Sequence, residues 1–104
     1  QYYDILNKLC SAPGIPGYEK QASDVFLELV SPFCTEFDSD PRGNVWGVRR
    51  GEGKKSVVIE AHADKIGLVV SHITDEGFVL FKTAGGFDPK LLPATTVTIF
   101  GREN

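Results

Sequence analysis

Apolar positions recur at helical spacing in the first third of this chain and at strand spacing in the rest. Tyr2, Ile5, Leu6 and Leu9 lie three and four apart, which predicts a short amphipathic helix over residues 1–10. Pro13-Gly14-Ile15-Pro16-Gly17 breaks it. A second helix is expected from about 18 to 30, with Tyr18, Ala22, Val25, Phe26, Leu29 and Val30 on one face and Glu19, Lys20, Asp24 and Glu28 on the other. Glu19 suits the positive end of the helix dipole, and Pro32 stops the element. Residues 35–38 then read as a short strand, 38–44 as a turn rich in breakers and 45–49 as another strand. Trp46 is expected to pack in the core, and Asp40 to cap the turn by accepting backbone N–H bonds.

The rest of the chain is organised around Ser56-Val57-Val58-Ile59-Glu60-Ala61-His62-Ala63-Asp64. Its apolar run, bounded upstream by Gly51-Glu52-Gly53-Lys54-Lys55, reads as a strand covered on both faces. His62 and Asp64 fall at or just past its C-terminal end, the end where ligands collect in open α/β sheets. Residues 66–73 and 78–82 form a second strand pair, an antiparallel hairpin turned at Thr74-Asp75-Glu76-Gly77. A glycine-rich loop over 83–89 leads to a last strand at 97–100, followed by a turn opening at Gly101-Arg102-Glu103-Asn104. These patterns place the chain in the α/β class. A shift to strands and glycines near residue 70 divides it into 1–70, an α/β part, and 71–104, the start of a β-rich part. A strand that enters a turn without its partner leaves a row of unpaired backbone groups, so these 104 residues are expected to belong to a longer protein.

Composition narrows the function classes. The net charge is −3, from 11 basic and 14 acidic residues, and the one basic cluster, Arg49-Arg50 with Lys54-Lys55, straddles a turn. That is too small a footprint for nucleic acid. No segment reaches the roughly eighteen apolar residues of a membrane span. Cys10 and Cys34 make neither a disulfide framework nor a CxxC site, so reduced thiols and a cytoplasmic location are the expectation. Phosphate-binding glycine loops and a Gly-x-Ser-x-Gly elbow are missing from the sequence.

The remaining chemistry rests on His62 and Asp64. A histidine at a strand end is often satisfied by a carbonyl and a water, and His72, in mid-strand, is read that way as a sheet or surface residue. For His62 the pairing with Asp64 raises metal binding as an alternative. Neutral imidazole ligates metals, and Asp64 can either bind the cation itself or accept a hydrogen bond from the far ring nitrogen. The pair is not a whole site, because zinc takes three or four protein ligands.

Several stretches, in order, resemble the N-terminal portion of the M42 metallo-aminopeptidases, a family of glutamyl aminopeptidases and endoglucanase M-like proteins. They are Ser11-Ala12-Pro13-Gly14-Ile15-Pro16-Gly17-Tyr18-Glu19, Asp40 with Gly43-Asn44-Val45, Ala61-His62-Ala63-Asp64-Lys65-Ile66-Gly67-Leu68-Val69-Val70, Gly77-Phe78 and Gly85-Gly86-Phe87-Asp88. The resemblance implies a zinc-peptidase-like α/β domain interrupted after the His-x-Asp strand by a smaller PDZ-like or barrel domain used in assembly. It implies two divalent metal ions, zinc or cobalt, peptide substrates cut at the N-terminus, and homo-oligomers, typically dodecamers; nucleic acid and membrane are not among the expected partners. It makes His62 a terminal metal ligand and Asp64 the active-site carboxylate that orients it, with the bridging aspartate, the general-base glutamate and the other ligands outside this chain. Two positions depart from the family pattern, Pro16 where serine is usual and Lys65 where glutamate is common. An ammonium beside the metals would disfavour bound cations. Two other readings stay open: a related co-catalytic metallohydrolase such as a deacylase, and, favoured by Lys65, an inactive assembly module with a vestigial His-x-Asp.

Overall fold

The computed structural model describes residues 1–101. Helix α1 (Tyr2–Ser11) and helix α2 (Lys20–Val30) come first, followed by strands β1 (Glu36–Ser39), β2 (Val45–Val48), β3 (Gly67–Ile73) and β4 (Val79–Ala84) and a short 3-10 turn at Pro89–Leu91. The mixed helix and strand content agrees with the α/β expectation. The helices pair through their apolar faces, with an ion pair between Lys8 Nζ and Glu28 Oε1 at 3.1 Å on the rim. Helix α2 begins two residues later than the periodicity suggests. Tyr18 N–H bonds to the Ile15 carbonyl at 2.9 Å, and Gly17 N–H bonds to Glu19 Oε1 at 2.7 Å, so a closed turn precedes the helix.

Strands β1 and β2 pair antiparallel, from Glu36 opposite Val48 to Ser39 opposite Val45. Their connection is held by one side chain. Asp40 Oδ1 accepts from the backbone N–H groups of Arg42, at 2.9 Å, and Asn44, at 3.0 Å, while Oδ2 accepts from the Asn44 side-chain amide at 2.7 Å. These bonds, the Asn44 side chain first, hold the Asp40 carboxyl below its usual range. At the open end Arg50 donates twice to Glu36, at 2.8 and 2.9 Å. Trp46 departs from expectation: it stays 41% exposed rather than entering a core, because α2 covers only part of this two-stranded sheet.

The second hairpin follows the sequence reading closely. Strands β3 and β4 pair antiparallel and turn through Gly77 at φ 89°, a conformation that costs glycine little. One irregularity interrupts the ladder. Val70 faces Phe81 and His72 faces Leu80, so Ser71 is an extra residue, a β-bulge, and its hydroxyl donates to the Leu80 carbonyl at 3.2 Å.

Two expected strands are not formed. Residues 56–61 are extended in the sequence reading but join no ladder, and Val57, Val58 and Ile59 are 87%, 83% and 95% exposed rather than covered on both faces. Residues 97–100 likewise form no strand, and the turn expected beyond Gly101 lies outside the described residues. The physical reason is common to both. A strand is a paired object, and among the described residues no backbone donates to or accepts from either run in a sheet. The radius of gyration is accordingly 17.6 Å, against about 13 Å for a compact domain of this length. Among the described residues the buried ones are Ala12, Gly14, Ala22 and Ser23, all small, at the junction of α1 and α2.

Candidate metal centre

The junction of the two helices is where the His62–Asp64 segment is attached. The backbone N–H of Lys65 donates to the Gly14 carbonyl at 2.8 Å. Two residues on, Gly67 lies directly beneath Ile15, and a Cβ at Gly67 would collide with Ile15 Cγ2. Any side chain there would push the segment off the α1–α2 connection. In extended backbone alternate residues face opposite ways. Lys65 and Gly67 therefore meet the helix junction, with His62 and Asp64 at the alternate positions, and His62, Asp64 and Lys65 border one cleft.

At that cleft the imidazole and the carboxylate meet. His62 Nδ1 lies 2.8 Å from the Asp64 carbonyl oxygen and 3.0 Å from Asp64 Oδ1. A carbonyl oxygen only accepts, so Nδ1 carries the proton and donates it to both oxygens. The tautomer is thereby set: Nε2 of the neutral ring keeps its lone pair and is the atom free to ligate. The His62 side chain is 83% exposed and Asp64 44%, so the ring stands at the surface and not in an apolar interior. Both residues border an open cleft of about 1090 Å³ that is also walled by Phe26 of α2, Trp46 of β2 and Ile59.

The donor set suits one terminal ligand of a divalent cation. It does not make a site by itself, since the described residues contain no group of three or more His, Cys, Asp or Glu side chains able to hold a metal. His72, the other histidine, sits in β3 on a hairpin and is not brought to this cleft. Sequence reasoning left the direction of Lys65 open, and the structure resolves it. Lys65 Nζ donates to the Cys10 carbonyl at 2.6 Å, at the C-terminal end of α1, rather than toward the His62 ring. The signal that could have found this is the alternation itself: position 65 differs in parity from 62 and 64.

An imidazole whose Nδ1 proton is held by a carboxylate is the way metal-ligating histidines are commonly oriented; comparison with known proteins gives the family. The profile of the M42 glutamyl aminopeptidase family matches residues 43–104, more than half of the sequence, and the chain belongs to this family. It is 32% identical over 99 residues to the lysyl aminopeptidase of Pyrococcus furiosus, covering 94% of this chain and 28% of that protein. Among solved structures it is similar to a TET aminopeptidase from the marine sediment archaeon Thaumarchaeota archaeon SCGC AB-539-E09, with a TM-score of 0.78 and 28% identity over 86% of this chain and 25% of that one. PhTET1-12s, described as a dodecamer, matches with a TM-score of 0.76 and 35% identity over 88% of this chain and 28% of that one. The chain thus spans about a quarter of the length of these relatives. No helix among the described residues is long and apolar enough to cross a membrane.

Proposed function

We propose that this chain is the N-terminal part of a metal-dependent aminopeptidase that removes residues from the N-terminus of peptides, with two divalent cations, zinc or cobalt, in the whole protein. In this reading His62 contributes Nε2 as a terminal ligand. Asp64 holds the Nδ1 proton and so keeps the ring in the ligating tautomer and raises its basicity. When bound, the cations supply Lewis acidity toward the scissile carbonyl and lower the pKa of water. The observation that carries the proposal is the double acceptance of the His62 Nδ1 proton by Asp64, at 2.8 and 3.0 Å. Family membership supports the peptidase class. The Lys65 ammonium is engaged by the Cys10 carbonyl at the end of α1, which weakens the objection that it would repel the cations.

We further propose that residues 1–70 belong to the catalytic domain and that 71–104 open an inserted β-rich domain used in homo-oligomer assembly, with a dodecameric relative as support. The matched segment serves relatives of different specificity, a lysyl aminopeptidase and a glutamyl aminopeptidase family, so side-chain selection is assigned to the remainder of the protein. The test is metal analysis and turnover of the full-length protein at neutral pH. Two equivalents of metal, hydrolysis of leucyl, lysyl or glutamyl p-nitroanilides, and loss of activity on chelation with recovery on adding cobalt or zinc are the expected results. Hydrolysis of N-acyl amino acids instead would make it a deacylase. A metal-free, inactive protein would leave only an assembly role.

A further inference from the structure

We propose that Lys65 is a positioning residue for the metal ligand: its ammonium, bound to the C-terminus of α1, fixes the His62–Asp64 segment on the helical layer and so keeps the His62 ring in its ligating tautomer. The affinity part of this inference rests on the metal reading above; the tautomer part does not.

The argument begins at the end of α1. Helix α1 closes with Ala12 N–H on the Lys8 carbonyl at 3.3 Å, and the Pro13-Gly14 turn carries the chain away. The Cys10 carbonyl is one of the last carbonyls of the helix, which have no partner within it. Lys65 Nζ supplies that partner at 2.6 Å and places a positive charge at the negative end of the helix dipole, where a cation is favoured. Lys65 as a residue is half-buried, and the contact itself lies at the surface.

The second step is the economy of attachments. Between residues 51 and 64 the described chain makes no backbone hydrogen bond to any other element. What holds this segment at its C-terminal end is the Lys65 N–H on Gly14, the Lys65 ammonium on Cys10 and the close seating of Gly67 against Ile15. All three meet the helix junction, where the buried residues Ala12 and Ala22 lie. Asp64 is adjacent in sequence to the lysine, and both of its oxygens that hold His62 Nδ1 depend on its backbone being placed. Of the three attachments, the ammonium is the one a side-chain substitution removes cleanly. The lysine thus fills with a helix-end contact a position where the resemblance leads one to expect glutamate, and a carboxylate here would face the α1 carbonyls with the wrong sign.

The experiment uses full-length protein carrying Lys65→Arg or Lys65→Met. The first measurement is magic-angle-spinning NMR of metal-free, ¹⁵N-histidine-labelled protein, with the His62 signals assigned by their loss in His62→Gln. Wild type and Lys65→Arg are expected to show a single Nδ1-protonated ring. Lys65→Met is expected to show mixed tautomers. The second measurement is cobalt affinity by competition with a chelator. Lys65→Met is expected to weaken it by about 10-fold, the low end for residues that orient a ligand, with Lys65→Arg close to wild type. Unchanged tautomer and affinity in Lys65→Met, with only a lower melting temperature, would overturn the proposal and leave Lys65 a stabilising contact. If wild type binds no cobalt, the metal reading fails, and the tautomer comparison still decides the positioning role.

Discussion

Val57-Val58-Ile59 and Leu68-Val69-Val70 are nearly the same tripeptide, and each is followed by a histidine, His62 in one case and His72 in the other. Their fates differ. Leu68-Val69-Val70 lies in a seven-residue strand with every partner supplied by β4, only a short turn away. Val57-Val58-Ile59 has no partner among the described residues and stands open. Both are β-branched or aliphatic runs of similar propensity, so what separates them is the partner: β4 lies against one, and among the described residues no strand is hydrogen-bonded to the other. The histidines divide along the same line. His72 is set on a locally paired hairpin with no carboxylate among the described residues held to its ring, and His62 is held by Asp64 at the mouth of the unpaired run.

The sharpest way to break this comparison is to remove each imidazole in turn from the full-length protein. His62→Ala is expected to lower kcat/KM on an aminoacyl p-nitroanilide by about 1000-fold or more, the scale of losing a group that a metal site cannot replace, while His72→Ala stays within about 3-fold. Equal effects of the two would show that the pairing difference does not mark function. Asp64→Ala comes next, with a loss of about 10- to 100-fold in cobalt or zinc affinity, measured by chelator competition.

Backbone exchange sharpens the structural half. In the full-length protein the amides of Val57, Val58 and Ile59 are expected to exchange slowly, within about an order of magnitude of those of Leu68, Val69 and Val70, once a neighbouring strand covers them. Fast exchange there would mean that the open run is its native state. In the hairpin, Gly77→Val forces a β-branched residue to φ 89° and is expected to cost about 1–3 kcal/mol, read by denaturant melting.

The smallest effect is that of pH on the other turn. The Asp40 carboxyl is held below its usual 3.8, so its contribution is fully present above that value and fades as the pH falls below it. Amide exchange at Arg42 and Asn44 is expected to quicken as the pH is lowered through this range relative to Asp40→Asn, which lacks the dependence.

The parts of the fold legible in the sequence are the local ones. Both helices follow from spacing three and four apart, the β3–β4 turn from Gly77, and the Asp40 cap from the breaker-rich stretch around it. Each of these is decided by residues close in the chain. Trp46 was misplaced because a buried aromatic needs layers on both sides, and that is a property of what packs against the sheet. For the candidate site, the pairing of His62 with Asp64 was legible from their spacing. The parity of position 65 was legible too, but its partner, the Cys10 carbonyl, was not, since that depends on where the last turn of α1 lies, fifty-five positions earlier.

The extra residue at Ser71 has a consequence for the hairpin as a surface. Leu68, Val70, Phe81, Ile73 and Val79 follow one another on one side of the ribbon, while Val69, Lys82, His72 and Leu80 share the other, because the odd count inverts the parity of everything after it. Deleting that single serine would leave both side chains where they are, because His72 would still follow Val70 opposite Leu80; absorbing it into an unbroken ladder would instead turn Ile73 toward Lys82 and bring the imidazole round beside Val70 and Phe81.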